Sequence, residues 1–183
     1  MKILISLLFL VSALNCGNPD ENTENPDPAT SISEVNEQQD ILVGEITKED
    51  LTQAPYSSWF DPMFKSYEPS EEVLEKVKNN INDYKIMVFM GTWCGDSKAE
   101  VPKLYKLLEE SGYDMDNIEM QAVRHDKTLP DDLQEEYNVH HVPTIIFYKD
   151  GKEVNRFVEY PQEDFGKDIA KIVSGQEYHN SYE

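Results

Sequence analysis

The feature that most limits the possible folds of this chain is an uninterrupted apolar segment, residues 86–90 (Ile-Met-Val-Phe-Met), which is bounded by turn-forming residues. An apolar run of this length without alternation predicts a strand that is buried on both faces. Such a strand belongs in the centre of a sheet that is covered by helices. We therefore expect an α/β fold built around this segment.

Helical and strand patterns alternate on either side of this segment. The predicted elements are a helix from the cap residue Ser70 to about Asn82, the strand 86–90, a helix ending at Gly112, a strand at 118–123, a short helix from near Pro130 to Tyr137, a hairpin with arms 145–148 and 153–158, and a helix from Pro161 to Val173. Strands that are separated by helices pair in parallel, and a closing hairpin adds antiparallel strands. The prediction is a mixed central sheet with helices on both faces.

The first residues predict an exported protein. Lys2 precedes an apolar run at residues 3–14, which is too short to span a bilayer as a helix, so residues 1–15 are interpreted as a signal peptide. Residues 13–17 (Ala-Leu-Asn-Cys-Gly) resemble the lipobox of bacterial lipoproteins, which implies that Cys16 is acylated. The alternative is an ordinary signal peptide with Cys16 as an incidental thiol. We expect a lipid-anchored protein on the periplasmic or surface side of a bacterial membrane.

An acidic tether is predicted to follow Cys16. Residues 17–40 contain seven acidic residues and no basic residue, with little apolar surface to offset the entropy of ordering, so residues 16–40 are expected to be disordered. The whole chain carries a formal net charge of -20, which disfavours nucleic acid as a partner. We interpret this charge chiefly as a solubilising surface.

Two further segments flank the predicted domain at residues 70–175. Residues 41–69 are rich in aromatic side chains and are expected to form an N-terminal extension of short helices, broken at Pro55 and Pro62, without a strand. Their aromatic residues could form a binding platform, but local core packing is the favoured interpretation. Residues 176–183 are expected to be a frayed tail.

The turn at residues 92–97 (Thr-Trp-Cys-Gly-Asp-Ser) carries the candidate chemistry. It follows the buried strand and opens a helix, where unpaired backbone N–H groups favour a thiolate at Cys94. Ser97 occupies the position of the second sulfur in a Cys-x-x-Cys motif. The sequence therefore predicts a reactive thiol without a resolving partner.

Two separated motifs resemble the thioredoxin superfamily. Residues 93–97 (Trp-Cys-Gly-Asp-Ser) are similar to its Trp-Cys-Gly-x-Cys turn, and residues 142–144 (Val-Pro-Thr) are similar to its cis-proline loop. With Gly-Thr at 91–92 and Glu-Val-Pro at 100–102, the chain looks most like secreted or lipid-anchored bacterial members. The resemblance implies a thioredoxin fold over residues 70–174, a cis Pro143, and a substrate groove. The groove residues are Trp93, Gly95, Asp96, Val142, Pro143 and Thr144.

Two departures from the family pattern agree with each other. Ser97 replaces the resolving cysteine, and Val88 stands where dithiol members carry a buried acid that serves that cysteine. Cys94 can still form a mixed disulfide, with Ser97 Oγ available to hydrogen-bond the thiolate. Gly95 permits close approach of a client backbone, whereas the charge of Asp96 opposes ionisation of the thiol.

These features support two hypotheses of different class. The first is a monothiol thiol–disulfide oxidoreductase or isomerase of the cell envelope, with Cys94 and Ser97 as catalytic residues and cysteine-containing clients or small thiols as partners. The second is a redox-inactive binding or chaperone-like module that uses the same groove. A metal site built from Cys94 with His125, His140 or His141 matches no ligand spacing, so neither a metal nor another cofactor is expected. We expect a monomer.

Overall fold

The computed structural model describes residues 41–183; the predicted signal peptide, Cys16 and the acidic tether lie outside the described residues. Within this range the helices are α1 (Lys48–Leu51), α2 (Ser57–Ser66), α3 (Glu71–Lys78), α4 (Gly95–Glu110), α5 (Leu133–Glu136) and α6 (Phe165–Val173). The strands are β1 (Gly44–Glu45), β2 (Lys85–Met90), β3 (Ile118–Ala122), β4 (Thr144–Lys149) and β5 (Lys152–Val158). Between residues 41 and 183, no helix combines the length and hydropathy that a membrane span requires.

The strands form one mixed sheet in the order β1-β3-β2-β4-β5. Strand β2 pairs in parallel with β3 and antiparallel with β4, while β5 and β1 add antiparallel edges. The fold class predicted from the sequence, a mixed sheet with helices on both faces, is therefore confirmed. The apolar run that defines β2 is buried along its length and lies in the middle of the sheet.

Alternate residues of β2 enter two separate cores, because side chains of a strand point to opposite faces. Val88 faces the larger core, which α2, α3, α4 and α6 cover. Phe89 faces the smaller core, which is covered by α5 and the segments around it and which includes Cys94 and Val142. The helical cover is therefore uneven between the two faces.

Strand pairing brings the two predicted motifs together. Phe89, near the end of β2, pairs with Thr144, the first residue of β4, in antiparallel register. The turn that follows β2 and the loop that precedes β4 must therefore lie at the same end of these two neighbouring strands. The sheet thus juxtaposes Cys94 and Pro143, which are distant in sequence.

The N-terminal extension differs from its prediction in two respects. Gly44 and Glu45 form a short strand that pairs with β3, which the sequence pattern did not indicate because two residues carry no periodicity. Helix α2 also continues through Pro62 rather than ending there, so the predicted break at this residue is wrong. Packing of this helix against α4 offsets the lost backbone hydrogen bond, since Phe60 is buried and contacts the ring of Tyr105 edge-on, with centroids 6.0 Å apart.

The C-terminal tail is not frayed, which corrects the prediction for residues 176–183. Tyr178 is buried in the larger core, and its hydroxyl donates to Asp168 Oδ2 over 3.4 Å. Its carbonyl accepts from Asn155 Nδ2 at 3.1 Å, which fastens the tail to β5. One buried tyrosine therefore anchors the segment.

Three helices are shorter than their sequence patterns suggest. Helix α3 stops at Lys78, before a 3₁₀ turn at Ile81–Asp83. Asp132 has a φ of 56°, a left-handed conformation that a helix cannot include, so α5 begins after it. Asp164 caps α6 by accepting from Lys167 N at 3.0 Å, which delays that helix beyond Pro161.

Candidate active site

Cys94 is the N-cap residue of α4, with extended backbone angles before the helix begins. Its N–H donates to the Gly91 carbonyl at 2.9 Å, and its own carbonyl accepts the first helical hydrogen bond from Lys98 N at 3.1 Å. The thiol is free and 8% exposed. This backbone arrangement places the sulfur at the positive end of a helix of 16 residues.

The loop before β4 faces the sulfur directly. Cys94 Sγ lies 3.2 Å from the Val142 carbonyl oxygen, to which the thiol donates. The peptide bond between Val142 and Pro143 is cis, as the resemblance predicted. Thr144 Oγ1 donates to the His141 carbonyl at 2.7 Å, and this hydrogen bond joins the two ends of the loop. The predicted residues 94 and 142–144 therefore form one site.

Ser97 lies one turn inside the helix and is fully buried. Its Oγ accepts from Gly91 N at 3.1 Å, so this hydroxyl holds the turn between β2 and α4 in place. The predicted hydrogen bond from Ser97 to a Cys94 thiolate stays a prediction. Gly95 and Asp96 are exposed at the start of α4.

Trp93 is fixed on three sides beside the thiol. Its indole Nε1 donates to the Val123 carbonyl at 3.0 Å. The ring stacks on His125, with centroids 4.8 Å apart and planes 26° from parallel. A Cβ at Gly91 would lie 2.6 Å from indole Cε2, so only glycine leaves room for this ring. Trp93 therefore presents a rigid aromatic surface.

A buried carboxylate lies further along α4. Glu100 is 6% exposed, and both of its carboxylate oxygens lie 3.0 Å from Lys103 Nζ. Burial raises the pKa of Glu100 above its ordinary value, and the charges of Asp96 and Asp168 add to this effect, while Lys103 opposes it. The carboxylate therefore disfavours its charged form although a cation contacts it.

Sequence patterns missed several residues that support the loop before β4. Glu159 N donates to the Pro143 carbonyl at 2.7 Å, and Glu159 adopts a left-handed φ of 65°. The Glu159 carboxylate contacts the hydroxyl of Tyr182 and lies 3.4 Å from His141 Nδ1. Tyr182 stacks on His141 with a centroid distance of 3.7 Å. A cluster of tyrosines in a short tail was the available signal.

Two of the three histidines considered as metal ligands make aromatic contacts. His125 stacks on Trp93, and His141 stacks on Tyr182. Within the described part of the chain, no group of three or more histidine, cysteine or acidic side chains is arranged to hold a metal ion. His125 and His141 therefore contribute aromatic contacts to the residues next to the cysteine and to the loop before β4.

Comparison with known proteins identifies similar sequences over the same region. A family model described as Thioredoxin matches residues 52–168. A thioredoxin from Chlamydia muridarum is 31% identical over 86 residues, which cover 47% of this chain and 76% of that protein. Thioredoxin H-type 1 from Nicotiana tabacum is 30% identical over 103 residues, which cover 55% of this chain and 77% of that protein.

The chain covers less than two thirds of the length of some other relatives. Thioredoxin H2 from Arabidopsis thaliana is 25% identical over 91 residues, and the chain covers 64% of its length. The chain covers 46% of the chloroplastic thioredoxin Y of Oryza sativa. Among solved structures, a protein of unknown function from Pseudomonas aeruginosa superposes with a TM-score of 0.56 over 72% of this chain and 93% of that chain. At 18% identity this likeness concerns the fold alone.

Proposed function

Because this chain belongs to the thioredoxin family, we propose that it is a monothiol thiol–disulfide oxidoreductase or isomerase that acts through Cys94 on clients of the cell envelope. The observation that carries the proposal is the position of the Cys94 sulfur, at the start of α4 and 3.2 Å from the Val142 carbonyl. A thiol in this position can attack a disulfide in a strand that docks against the loop before Pro143.

The Val142 carbonyl links client docking to activation of the thiol. In the resting site the thiol donates its hydrogen to this oxygen. A client strand that pairs with the loop offers a backbone N–H to the same carbonyl and competes with the thiol. Release of that contact frees Sγ to lose its proton to solvent, and the helix start stabilises the thiolate that forms.

The exchange then proceeds in two displacements. The Cys94 thiolate attacks one sulfur of a client disulfide, which forms a mixed disulfide and releases the other client sulfur as a thiolate. A second thiolate, from the client or from a small external thiol, attacks the client sulfur of the mixed disulfide. This step regenerates the Cys94 thiolate and leaves the client with a new disulfide, so the number of disulfides is conserved.

The residues around Cys94 are consistent with a mixed disulfide that no second thiol of this site resolves. Ser97 Oγ is hydrogen-bonded to the Gly91 amide, and Val88, at the position of the family's buried acid, is fully buried in an apolar core. Neither residue can supply a second thiol or deprotonate one. We therefore propose that the mixed disulfide persists until an outside thiol arrives.

Isomerisation of a scrambled substrate tests this proposal. The full chain carrying Cys16→Ser, which leaves Cys94 as its single thiol, should accelerate disulfide exchange in the presence of glutathione and should accumulate a mixed disulfide that mass spectrometry detects. The matched variant that also carries Cys94→Ser should do neither. Equal rates for the two proteins would exclude catalysis by Cys94.

The second candidate is a redox-inactive binding module that uses the same groove. The low exposure of the thiol, together with the rigid aromatic surface of Trp93, favours this alternative. If the chain is such a binding module, Cys94→Ala should bind clients as well as the wild-type chain does. The oxidoreductase proposal expects this substitution to abolish the capture of cysteine-containing clients, so a trapping experiment distinguishes the two.

We also propose that the chain is exported, acylated at Cys16 and held at a membrane by this lipid, as a monomer. Support comes from the short apolar run at residues 3–14 and the lipobox-like residues 13–17. Metabolic labelling with an alkyne fatty acid should mark the wild-type chain but not Cys16→Ala, which should also lose its membrane association. Labelling of both proteins would assign the lipid elsewhere.

A further inference from the structure

A group of aromatic side chains borders the loop that faces Cys94. The ring of Tyr182 stacks on His141, and the ring of Tyr160 lies 6.4 Å from that of Tyr182 at an angle of 60°. Tyr160 is 48% exposed and Tyr182 is 50% exposed, so both rings present apolar surface to solvent. We call these residues, together with Glu159, the tyrosine cradle.

Negative charge accompanies these rings. The Glu159 carboxylate contacts Tyr182 and His141 through Oε2, and its described contacts leave Oε1 open to another donor. The side chain of Glu183 is 51% exposed, lies 3.5 Å from His179 Nδ1 through Oε2, and lines the same small cavity as His141 and Tyr182. The tyrosine cradle therefore combines exposed ring faces with carboxylate oxygens.

The arginine that lines this cavity is already paired with a carboxylate. Arg156 and Tyr182 line the same cavity, but Arg156 Nε and Nη2 donate to the two carboxylate oxygens of Glu153 at 2.6 and 2.7 Å. Its remaining nitrogen donates to the Tyr137 carbonyl at 3.0 Å. In its described contacts Arg156 therefore pairs with Glu153 and not with the carboxylate of Glu159 or Glu183.

Aromatic faces next to an open carboxylate match the chemistry of a guanidinium group, which stacks on tyrosine and donates to carboxylate oxygens at the same time. We infer that the tyrosine cradle binds an arginine side chain of an extended client segment whose cysteine reacts with Cys94. This inference rests on the proposed function and adds a substrate preference to it. The net charge of -20 also attracts positively charged clients at long range.

The geometry also predicts where the arginine lies in the client. Cys94 Sγ contacts the carbonyl of Val142, and Tyr182 stacks on His141, the preceding residue. A strand advances about 3.3 Å per residue, and an arginine side chain is long, so an arginine about two to four residues from the client cysteine reaches the tyrosine cradle.

A kinetic comparison of two peptides tests the inference. Each peptide carries one cysteine, activated as a mixed disulfide with a chromophoric aromatic thiol, and either arginine or its neutral analogue citrulline at one position, scanned along both sides of the cysteine. Attack by Cys94 forms the protein–peptide disulfide and releases the aromatic thiolate. For the full chain carrying Cys16→Ser, we expect the arginine peptide to react about fivefold faster than the citrulline peptide at the best position.

Three variants show whether the tyrosine cradle causes this preference. At high salt, which screens the long-range field of the acidic chain, Tyr182→Leu and Glu159→Gln should each bring the ratio of the two rates close to one. Glu177→Gln removes the same charge as Glu159→Gln from an exposed position in the tail and should keep the ratio of the parent chain. A preference at high salt that survives Tyr182→Leu, or one that Glu177→Gln removes, would overturn the inference.

The neutral reagent 2-hydroxyethyl disulfide separates this inference from the proposed function. If Cys94 reacts with that reagent but not faster with arginine peptides, the tyrosine cradle has no such preference while the proposed function stands. If Cys94 reacts with no disulfide, the proposed function fails, and fluorescence anisotropy with the Cys94→Ser chain decides the inference. Tighter binding of the labelled arginine peptide than of the citrulline peptide would support it, and equal binding would refute it.

Discussion

At the scale of single residues, the site depends on a glycine that makes room for a tryptophan. A Cβ on residue 91 would lie 2.6 Å from indole Cε2 of Trp93 and 2.8 Å from Nε1. Gly91→Ala should therefore displace the indole, weaken its hydrogen bond to the Val123 carbonyl, and reduce the free energy of unfolding by about 1–3 kcal/mol. Urea denaturation followed by circular dichroism measures this change.

Gly95→Ala is the matched control for that substitution. An added Cβ at Gly95 meets no atom within 4 Å, so we expect a change in unfolding free energy within about 0.5 kcal/mol. The prediction for Gly91→Ala fails if the two variants are equally stable. Equal stability would mean that the change in backbone conformational freedom from glycine to alanine sets the stability of both variants, and that the space around Trp93 does not.

Glu100 should make stability depend on pH. Its pKa is raised in the folded chain, so the folded state keeps the proton to higher pH than the unfolded state does. Between the ordinary value of about 4.3 and the folded pKa, stability therefore falls as pH rises. Glu100→Gln should remove this loss, so the variant should gain stability relative to wild type as pH increases through that window.

Urea titrations of both proteins at several pH values measure this difference. The exposed Glu75 on α3 provides a control, because Glu75→Gln removes the same charge without changing a buried group. A stability difference between Glu100→Gln and wild type that is independent of pH would contradict the prediction. The result would also indicate that Lys103 offsets the burial of this carboxylate completely.

At the scale of elements, the C-terminal tail is a structural component. Tyr178 is buried, donates to Asp168, and accepts from Asn155 through its carbonyl. Tyr178→Ala should cost about 3 kcal/mol of unfolding free energy, because it leaves a cavity in the larger core and removes a donor from a buried carboxylate. Tyr178→Phe, which removes only the hydroxyl, should cost about 1 kcal/mol.

Tyr182→Ala, four residues further along the tail, provides the comparison. Its ring is half exposed, so we expect this substitution to cost less than about 1 kcal/mol. Thermal unfolding monitored by circular dichroism ranks the three variants. Equal effects of Tyr178→Ala and Tyr182→Ala would mean that the tail is not anchored through its buried tyrosine.

Elements with a strong local hydrophobic pattern were predictable from sequence, whereas elements set by single long-range contacts were not. The apolar run of β2 and the amphipathic pattern of α4 determine the centre of the fold, and the Thioredoxin family match confirms the predicted superfamily. Strand β1 and the tail have no such pattern. Their positions depend on pairing with β3 and on the burial of Tyr178, which local sequence does not encode.

The same distinction applies to the candidate site. Cys94 and Pro143 belong to contiguous motifs, and the structure brings them together as the resemblance implied. The contacts of Glu159, His141 and Tyr182 join three separate segments, so no local motif marks them. Propensity likewise could not show that α2 passes through Pro62, because tertiary packing offsets the local cost.

At the scale of the whole molecule, the excess of acidic residues acts on every charged substrate that approaches Cys94. A net charge of -20 attracts cations and repels anions over distances set by the Debye length, about 8 Å at physiological ionic strength. This long-range effect needs no contact with the tyrosine cradle. It should therefore persist in Tyr182→Leu, where the local preference for arginine is lost.

Two small disulfides of opposite charge measure this effect. Under the proposed function, Cys94 should react faster with cystamine, a dication, than with dithiodiglycolate, a dianion, and the ratio of the two rates should fall by about tenfold or more between low and high salt. The rate with neutral 2-hydroxyethyl disulfide should change little over the same range and serves as the control. A cystamine preference that is independent of salt would show that contacts at the site, and not the field of the acidic chain, select the charge of the substrate.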